Sequence, residues 1–391
     1  MNTPRPYLTT LTPLRGIAAL VVVIFHSNLQ VKAFIPISEP TVITSGWLWV
    51  DFFFVLSGFI LCYVYSDTFK ESVTRAGYWK YIKARFARVY PLHLATMFWC
   101  LICAIIILRY ASGELHPFFR DMFSPTSAVP SLFLMQSLGL YIAAPLNTPS
   151  WSLSTEWWMY MVFPLLVPVF LRLGAAGKGV ALATIAGRFL SIKYYLGPVG
   201  LPFPGGSPSL DVVADYGIFR CMAGFLLGMF LFTLYRESVA YALFRRSWVF
   251  AFFFLGALIA MHFGVEDILV IAIFPFIILA AAYNTTTIKR ILELPFLQRL
   301  GDWSFSIYMV HVPIVYIYWI YMTMRIPDWW TTFPLSEPPG GVVTAVGLCL
   351  ALVILTLVTA SLTYKYVEVP ARNYLNRKLN PGKLEAVKMV N

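Results

Sequence analysis

The sequence predicts an all-α membrane protein, a polytopic helical bundle of about ten transmembrane helices with both termini cytoplasmic. Three observations lead there. Of its 391 residues, 59% are hydrophobic and only 12% charged, against roughly 45–50% and 25% in soluble domains. Mean hydropathy is +0.73. Apolar runs recur near 14–33, 47–66, 89–110, 154–173, 178–197, 216–235, 247–263, 266–283, 303–323 and 340–364. Each approaches the roughly 20 residues needed to cross hydrocarbon.

Taken in order, the run 14–33 reads as a retained helix. Many spans follow it, and no small-residue cleavage site stands out behind it. The run 178–197 is the weakest, because Arg188 and Lys193 interrupt it. Residues 128–144 form a possible extra short or re-entrant helix. Residues 1–375 read as one transmembrane domain and 376–391 as a short basic cytoplasmic tail. Aromatic residues make up 17% of the chain, and many sit near helix ends, where Trp and Tyr favour the headgroup zone.

Net charge is +11, from 29 Lys+Arg against 18 Asp+Glu. In a soluble protein that would point to nucleic acid. Here the basic residues fall into alternate loops. One side holds Lys70, Arg75, Lys80, Lys83, Arg85 and Arg88, then Arg172 and Lys178, then Arg236, Arg245 and Arg246, then Lys289, Arg290 and Arg299. The other side holds little more than Arg109, Arg120 and Arg325. This is the positive-inside bias, so the partner is a lipid bilayer and no nucleic acid is expected. Cys62, Cys100, Cys103, Cys221 and Cys349 all lie in apolar segments, where buried packing outweighs metal or redox work. No metal is expected.

Ionisable residues inside these runs cost at least about 2.5–3.5 kcal/mol at a helix centre, so each is a candidate for function. In LRGIAALVVVIFHSN, Arg15 and His26 are eleven residues apart and share a face, with His26 roughly 16 Å deeper. A neutral imidazole at that depth suits proton transfer from a hydroxyl. In WVDFFFVLSGFIL, Asp51 and Gly58 share a face. Asp51 either orients the imidazole or caps its helix, and Gly58 leaves a notch for a close neighbour. Arg85 and Arg88, three apart, suit phosphate or serve topology and anionic-lipid contact.

The segment PSWSLSTEWWMYMVFP opens another helix at its outer end. Glu156 either holds sugar hydroxyls beside Trp151, Trp157 and Trp158 or meets the helix dipole in an aromatic belt. In GDWSFSIYMVHVPIVY, Ser304 and His311 share a face, with His311 about 12 Å beyond Trp303. Both deep histidines thus climb from one side to comparable depths, and Pro313 frees a backbone carbonyl nearby. Glu368 and Arg372, four apart, are placed to pair with each other. His93 is given no role.

Six segments in order resemble the acyltransferase-three family of membrane O-acyltransferases. They are RGIAALVVVIFH at 15–26, DFFFVLSGFIL at 51–61, Arg85 and Arg88 before YPL, WSLSTEWWMY at 151–160, SFSIYMVHVP at 304–313 and VEVPAR at 367–372. The resemblance implies transfer of an acyl group, usually acetyl, from cytoplasmic acetyl-CoA or another acyl-CoA to a hydroxyl, in the bacterial inner membrane. Acceptors in the family include surface polysaccharides, lipopolysaccharide O-antigen, peptidoglycan, Nod factors and macrolide antibiotics, so a carbohydrate or glycoside acceptor is implied. By the same resemblance His26 is the catalytic base, with Arg15 beside it on the donor side. Arg85 and Arg88 contact the coenzyme A phosphates. Asp51 joins the catalytic group, and Glu156, Trp151, Ser304 and His311 face substrate. Some relatives continue into an extracytoplasmic SGNH-type hydrolase domain. Here the chain is expected to stop short of one, so the module either completes transfer itself or hands the acyl group to a periplasmic partner protein. The rival readings are a transporter or flippase for a lipid-linked glycan, which intramembrane His, Asp and Arg also suit, and a structural subunit of an export complex. Inverted repeats would favour the transporter, and none is visible.

Overall fold

A computed structural model describes residues 5–30, 40–112, 115, 117–141, 143–199, 208–326 and 341–379. The basic tail from 380 onward, with Lys383 and Lys388, lies outside the described residues, as do residues 31–39 and 327–340. The described part is helical throughout, with no strand among its residues.

In chain order the helices are α1 (Leu11–Gln30), α2 (Trp49–Phe69), α3 (Arg75–Tyr110), α4 (Pro117–Met122), α5 (Ala128–Leu132), α6 (Ser150–Arg172), α7 (Ala175–Ser191) and α8 (Gly217–Arg236). They continue as α9 (Tyr241–Phe244), α10 (Ser247–His262), α11 (Asp267–Tyr283), α12 (Thr287–Leu292), α13 (Pro295–Asp302), α14 (Ser304–Arg325), α15 (Gly341–Thr363) and α16 (Val369–Leu379). Every apolar run read from the sequence falls on a helix. Among the described residues, seven segments are long and apolar enough to cross a bilayer, those containing α1, α2, α3, α6, α8, α14 and α15; α10 and α11 are shorter apolar helices. In the segment 128–144, only Ala128–Leu132 is helical.

Lipid is the implied solvent for the outer faces. Ile102, Phe252 and Val343 are 60%, 66% and 85% exposed, and a surface of such side chains is unstable in water. Helix α3 is 36 residues long, about 54 Å at 1.5 Å per residue. It exceeds a hydrocarbon core of about 30 Å, so its first turns, with Lys80 and Lys83, extend beyond the apolar zone. Thr74 caps that end by accepting from the Gly77 amide at 3.1 Å, which satisfies one of the orphan donors of the first turn.

The weak run 178–197 is α7 followed by a wider π turn, Ile192–Leu196. Its two charges are accommodated. Arg188 lies over the Phe219 ring at 5.7 Å, and Lys193 pairs with Glu266.

Helices α2 and α8 meet most closely. Gly58 of α2 faces the Phe225 carbonyl, and Gly228 of α8 faces the Val55 carbonyl, so that a Cβ at either glycine would overlap backbone. Gly224 and Gly228 are four apart on α8, the small-xxx-small spacing that lets backbones approach in membranes. The notch at Gly58 therefore receives a neighbouring helix. A second close approach joins α1 to α13, where Gly16 meets Leu300 and Gly301. Ala19 and Val23 of α1, Ile307 and Val310 of α14, and Ala360 of α15 form a small buried seam between those helices.

Candidate active site

The two deep histidines extend that seam. His26 follows Val23 on α1, and His311 follows Ile307 by one turn on α14. Their ring centroids are 4.9 Å apart, the planes tilted by 42°. His26 Nδ1 lies 3.0 Å from the Val22 carbonyl. A carbonyl only accepts, so Nδ1 carries the proton and the free lone pair sits on Nε2. The ring nitrogens of His311 are buried without a well-formed hydrogen bond, the nearest acceptors being the Ile307 and Tyr308 carbonyls of its own helix. The Tyr308 ring lies 5.9 Å from His311, and its hydroxyl is 2.8 Å from Ser152 Oγ of α6 and 3.2 Å from the Pro149 carbonyl.

A polar cluster lies on the side of the histidines toward the N-terminus of α1. Arg15 is in electrostatic reach of Arg88, Tyr7, Glu368 and Tyr160. Arg85 donates to the Tyr65 hydroxyl at 3.3 Å and lies over that ring at 5.5 Å. Arg88 pairs with Glu368. Glu368 also accepts from Ser306 Oγ at 2.7 Å and lies 3.7 Å from Arg372. It occupies the last position of a π turn, Tyr364–Glu368, an irregularity frequent at functional sites. Glu156 bonds Ser57 and Tyr160 and faces Arg15 and Arg85. The guanidiniums of Arg15, Arg85, Arg88 and Arg372 outnumber the carboxylates of Glu156, Asp302 and Glu368 in this group. It therefore retains positive charge in a place of low dielectric, where an anion is attracted strongly.

Several sequence expectations are corrected. Asp51 does not orient His26. It is fully buried against Arg220, which donates from Nε at 3.0 Å and from Nη2 at 2.8 Å, and Arg220 also reaches Asp211 at 3.2 Å. Trp151 is buried beneath the Arg220 guanidinium at 5.4 Å and edge-on to Phe54 at 5.8 Å. Glu156 does not sit with an outer aromatic belt, because the Trp158 indole turns away to the Leu134 carbonyl at 3.0 Å and Trp157 packs against Phe86. Successive helical residues project about 100° apart, so the three tryptophans and Glu156 meet different neighbours. Glu368 does not simply pair with Arg372, since Arg88 and Ser306 hold it from other helices. Ser304 is buried, its hydroxyl unpartnered. His93 Nε2 donates to the Ser131 carbonyl at 2.8 Å, because a carbonyl only accepts, and so fastens α5 to α3.

Among the described residues no His, Cys, Asp and Glu cluster has a metal-binding arrangement. The acyltransferase-domain family model matches residues 11–361. The chain belongs to the acyltransferase-three family. It is 30% identical over 401 residues to acyltransferase MdmB of Streptomyces mycarofaciens, covering 95% of this chain and 93% of MdmB. It is 31% identical over 165 residues to protein 2 in the picA locus of Rhizobium radiobacter, covering 40% of this chain and 80% of that protein. To O-acetyltransferase OatA of Staphylococcus aureus (strain NCTC 8325 / PS 47) it is 22% identical over 397 residues, covering 95% of this chain but 58% of OatA. No solved structure matches it. This acyltransferase-three member is a membrane O-acyltransferase, built on a helical bundle.

Sequence reasoning missed Arg220, Tyr308 and Ser306. The rule that flagged Asp51, a charge within an apolar run, applies equally to Arg220 at residue four of α8. Ser306 and Tyr308 stand inside the SFSIYMVH segment but carry no charge to draw attention.

Proposed function

We propose that this acyltransferase-three protein moves an acyl group, acetyl in the simplest case, from acyl-CoA to a hydroxyl of a carbohydrate or glycoside acceptor. The carrying observation is the His26–His311 contact, with the His26 Nε2 lone pair left free by the Nδ1 bond to Val22. The name O-acetyltransferase given to OatA supports acetyl as the group moved. The basic loops support cytoplasmic termini.

In this reading the thioester enters from the cytoplasm past Arg15, Arg85 and Arg88, whose surplus charge attracts the phosphates of coenzyme A. The acceptor oxygen approaches His26, and His311 holds it in line. His26 Nε2 takes the hydroxyl proton as the oxygen attacks the thioester carbonyl. The carbonyl π electrons move to oxygen, giving a tetrahedral intermediate. Its collapse breaks the C–S bond and expels the coenzyme A thiolate. The imidazolium returns its proton to that sulfur, leaving ester, free thiol and neutral His26. A bilayer separates the donor from an outer acceptor, so the half-buried imidazole is where the two meet.

The test is transfer of radiolabelled acetyl from acetyl-CoA by purified protein. His26→Ala should lower transfer by about 10²-fold or more while membrane insertion persists. Wild-type turnover in that variant overturns the assignment of His26.

A further inference from the structure

The turn after α8 and the short α9 border an open basic aromatic cavity that neither histidine lines. Its volume is about 360 Å³, and Arg5, Tyr235, Arg236, Ser238, Tyr241 and Tyr283 line it. Its wall is rigid. Tyr235 stacks on Tyr283 at 4.8 Å and 22°, Tyr241 meets Tyr283 edge-on at 5.1 Å, and the Tyr283 hydroxyl donates to the Tyr235 carbonyl at 2.9 Å. The turn is held in an uncommon shape: Ser238 and Ala240 adopt φ of 55° and 53°, a region that side-chain-bearing residues seldom enter.

The charge in and around the cavity is one-sided. Arg5 is fixed to Asp67 at 2.9 Å and to Ser66 Oγ at 2.9 Å. Glu237, the adjacent carboxylate, is taken by Lys178. No carboxylate lines the cavity. Arg236 is left there without an ion pair among the described residues, and the Arg245 guanidinium lies over the Tyr241 ring at 5.7 Å. Tyr241 of the lining is exposed, as are its chain neighbours Val239, Leu243 and Trp248, beside Arg245 and Arg246. Apolar side chains alternating with arginines at a helix end form an interfacial surface. There the apolar groups enter the acyl boundary and the arginines stay among headgroups.

We propose that this cavity binds the headgroup of an anionic phospholipid, its phosphate at Arg236 and Arg245 and its acyl chains over the Val239–Trp248 stretch. A soluble phosphate matches the arginines, but only a lipid uses the exposed apolar side chains as well. Cationic side chains at a membrane surface attract anionic headgroups.

The experiment uses the full-length protein in detergent, with phosphatidylglycerol or phosphatidylcholine added and retained lipid read by native mass spectrometry. Phosphatidylglycerol should be retained preferentially. The double variant Arg236→Gln, Arg245→Gln should weaken retention by about 30-fold, the effect of removing two interfacial cations, while Arg236→Lys, Arg245→Lys should keep most of it. Equal retention of both lipids by the wild-type protein overturns the proposal. Displacement of phosphatidylglycerol by millimolar inorganic phosphate or by coenzyme A also overturns it, since either result assigns the cavity to a soluble ligand.

Discussion

His26 and His311 face each other across the α1–α14 seam with ring centroids 4.9 Å apart. Groups in such contact do not act independently. His26→Ala should lower the rate of acyl transfer by about 10²- to 10⁴-fold, the usual worth of a positioned base. His311→Ala should cost less. The double variant should be little worse than His26→Ala alone, because in the proposed mechanism His311 acts on the oxygen that His26 deprotonates. Rate losses that multiply in the double variant would show two separate functions.

The comparable depths of the two histidines were legible in the sequence, but their contact was not. Each histidine is set by helical periodicity and by its distance from a polar helix start, and both quantities are local. The partner of Asp51 was not legible. Periodicity gives the face and depth of Asp51, but Arg220 lies 169 positions away. Which helix carries it alongside α2 depends on the glycine contact between Gly58 and Phe225, a matter of shape. The same holds for Trp151, read as facing substrate because its segment begins a helix at the outer end. The positions of Arg220 and Phe54 around it are tertiary facts. Membrane class and helix positions are legible because composition and charge carry them without reference to neighbours.

The Asp51–Arg220 pair predicts a stability defect. Removing one partner of a buried ion pair strands the other charge and costs about 3–5 kcal/mol. Arg220→Gln and Asp51→Asn should therefore each lower the thermal midpoint sharply, read by fluorescence-detected size exclusion. Replacing the pair together, Asp51→Leu with Arg220→Met, should restore much of it. If Asp51→Asn abolishes acyl transfer at an unchanged midpoint, Asp51 has a direct part in the chemistry.

The α2–α8 crossing makes a sharper demand. Gly58→Val or Gly228→Val should prevent monodisperse protein from forming, because each added Cβ overlaps a carbonyl of the facing backbone. Gly256 on α10 has open space around its Cα. Gly256→Ala should keep the fold and gain roughly 0.5–1 kcal/mol from helix propensity. The contrast between a lost peak and a raised midpoint tests whether close packing or glycine flexibility explains the requirement.

Arg85 and Arg88 stand one turn apart but differ in freedom. Arg88 is anchored to Glu368, whereas Arg85 is held by the neutral Tyr65 hydroxyl. A phosphate therefore competes more easily for Arg85. Arg85→Gln should raise KM for acetyl-CoA by about 10- to 100-fold, the value of a hydrogen bond to a charged group, with kcat much less affected. An unchanged KM would remove Arg85 from the donor path.

Asn147 supplies a bond that the α14 backbone lacks. Pro313 has no N–H, so the Met309 carbonyl four residues earlier loses its helical donor. Asn147 Nδ2 donates to that carbonyl at 2.9 Å and to Thr96 Oγ1 at 3.0 Å, tying α14 to α3 two residues before His311. Asn147→Leu should orphan a buried carbonyl and cost about 1–3 kcal/mol. Pro313→Ala restores an N–H at the position where the helix would provide one, and so makes Asn147 partly redundant. The variant carrying both Asn147→Leu and Pro313→Ala should thus have a higher thermal midpoint than Asn147→Leu alone, a favourable coupling of the two sites. If the two losses simply add, Asn147 stabilises the bundle through Thr96 or through packing, and the carbonyl freed by Pro313 is satisfied another way.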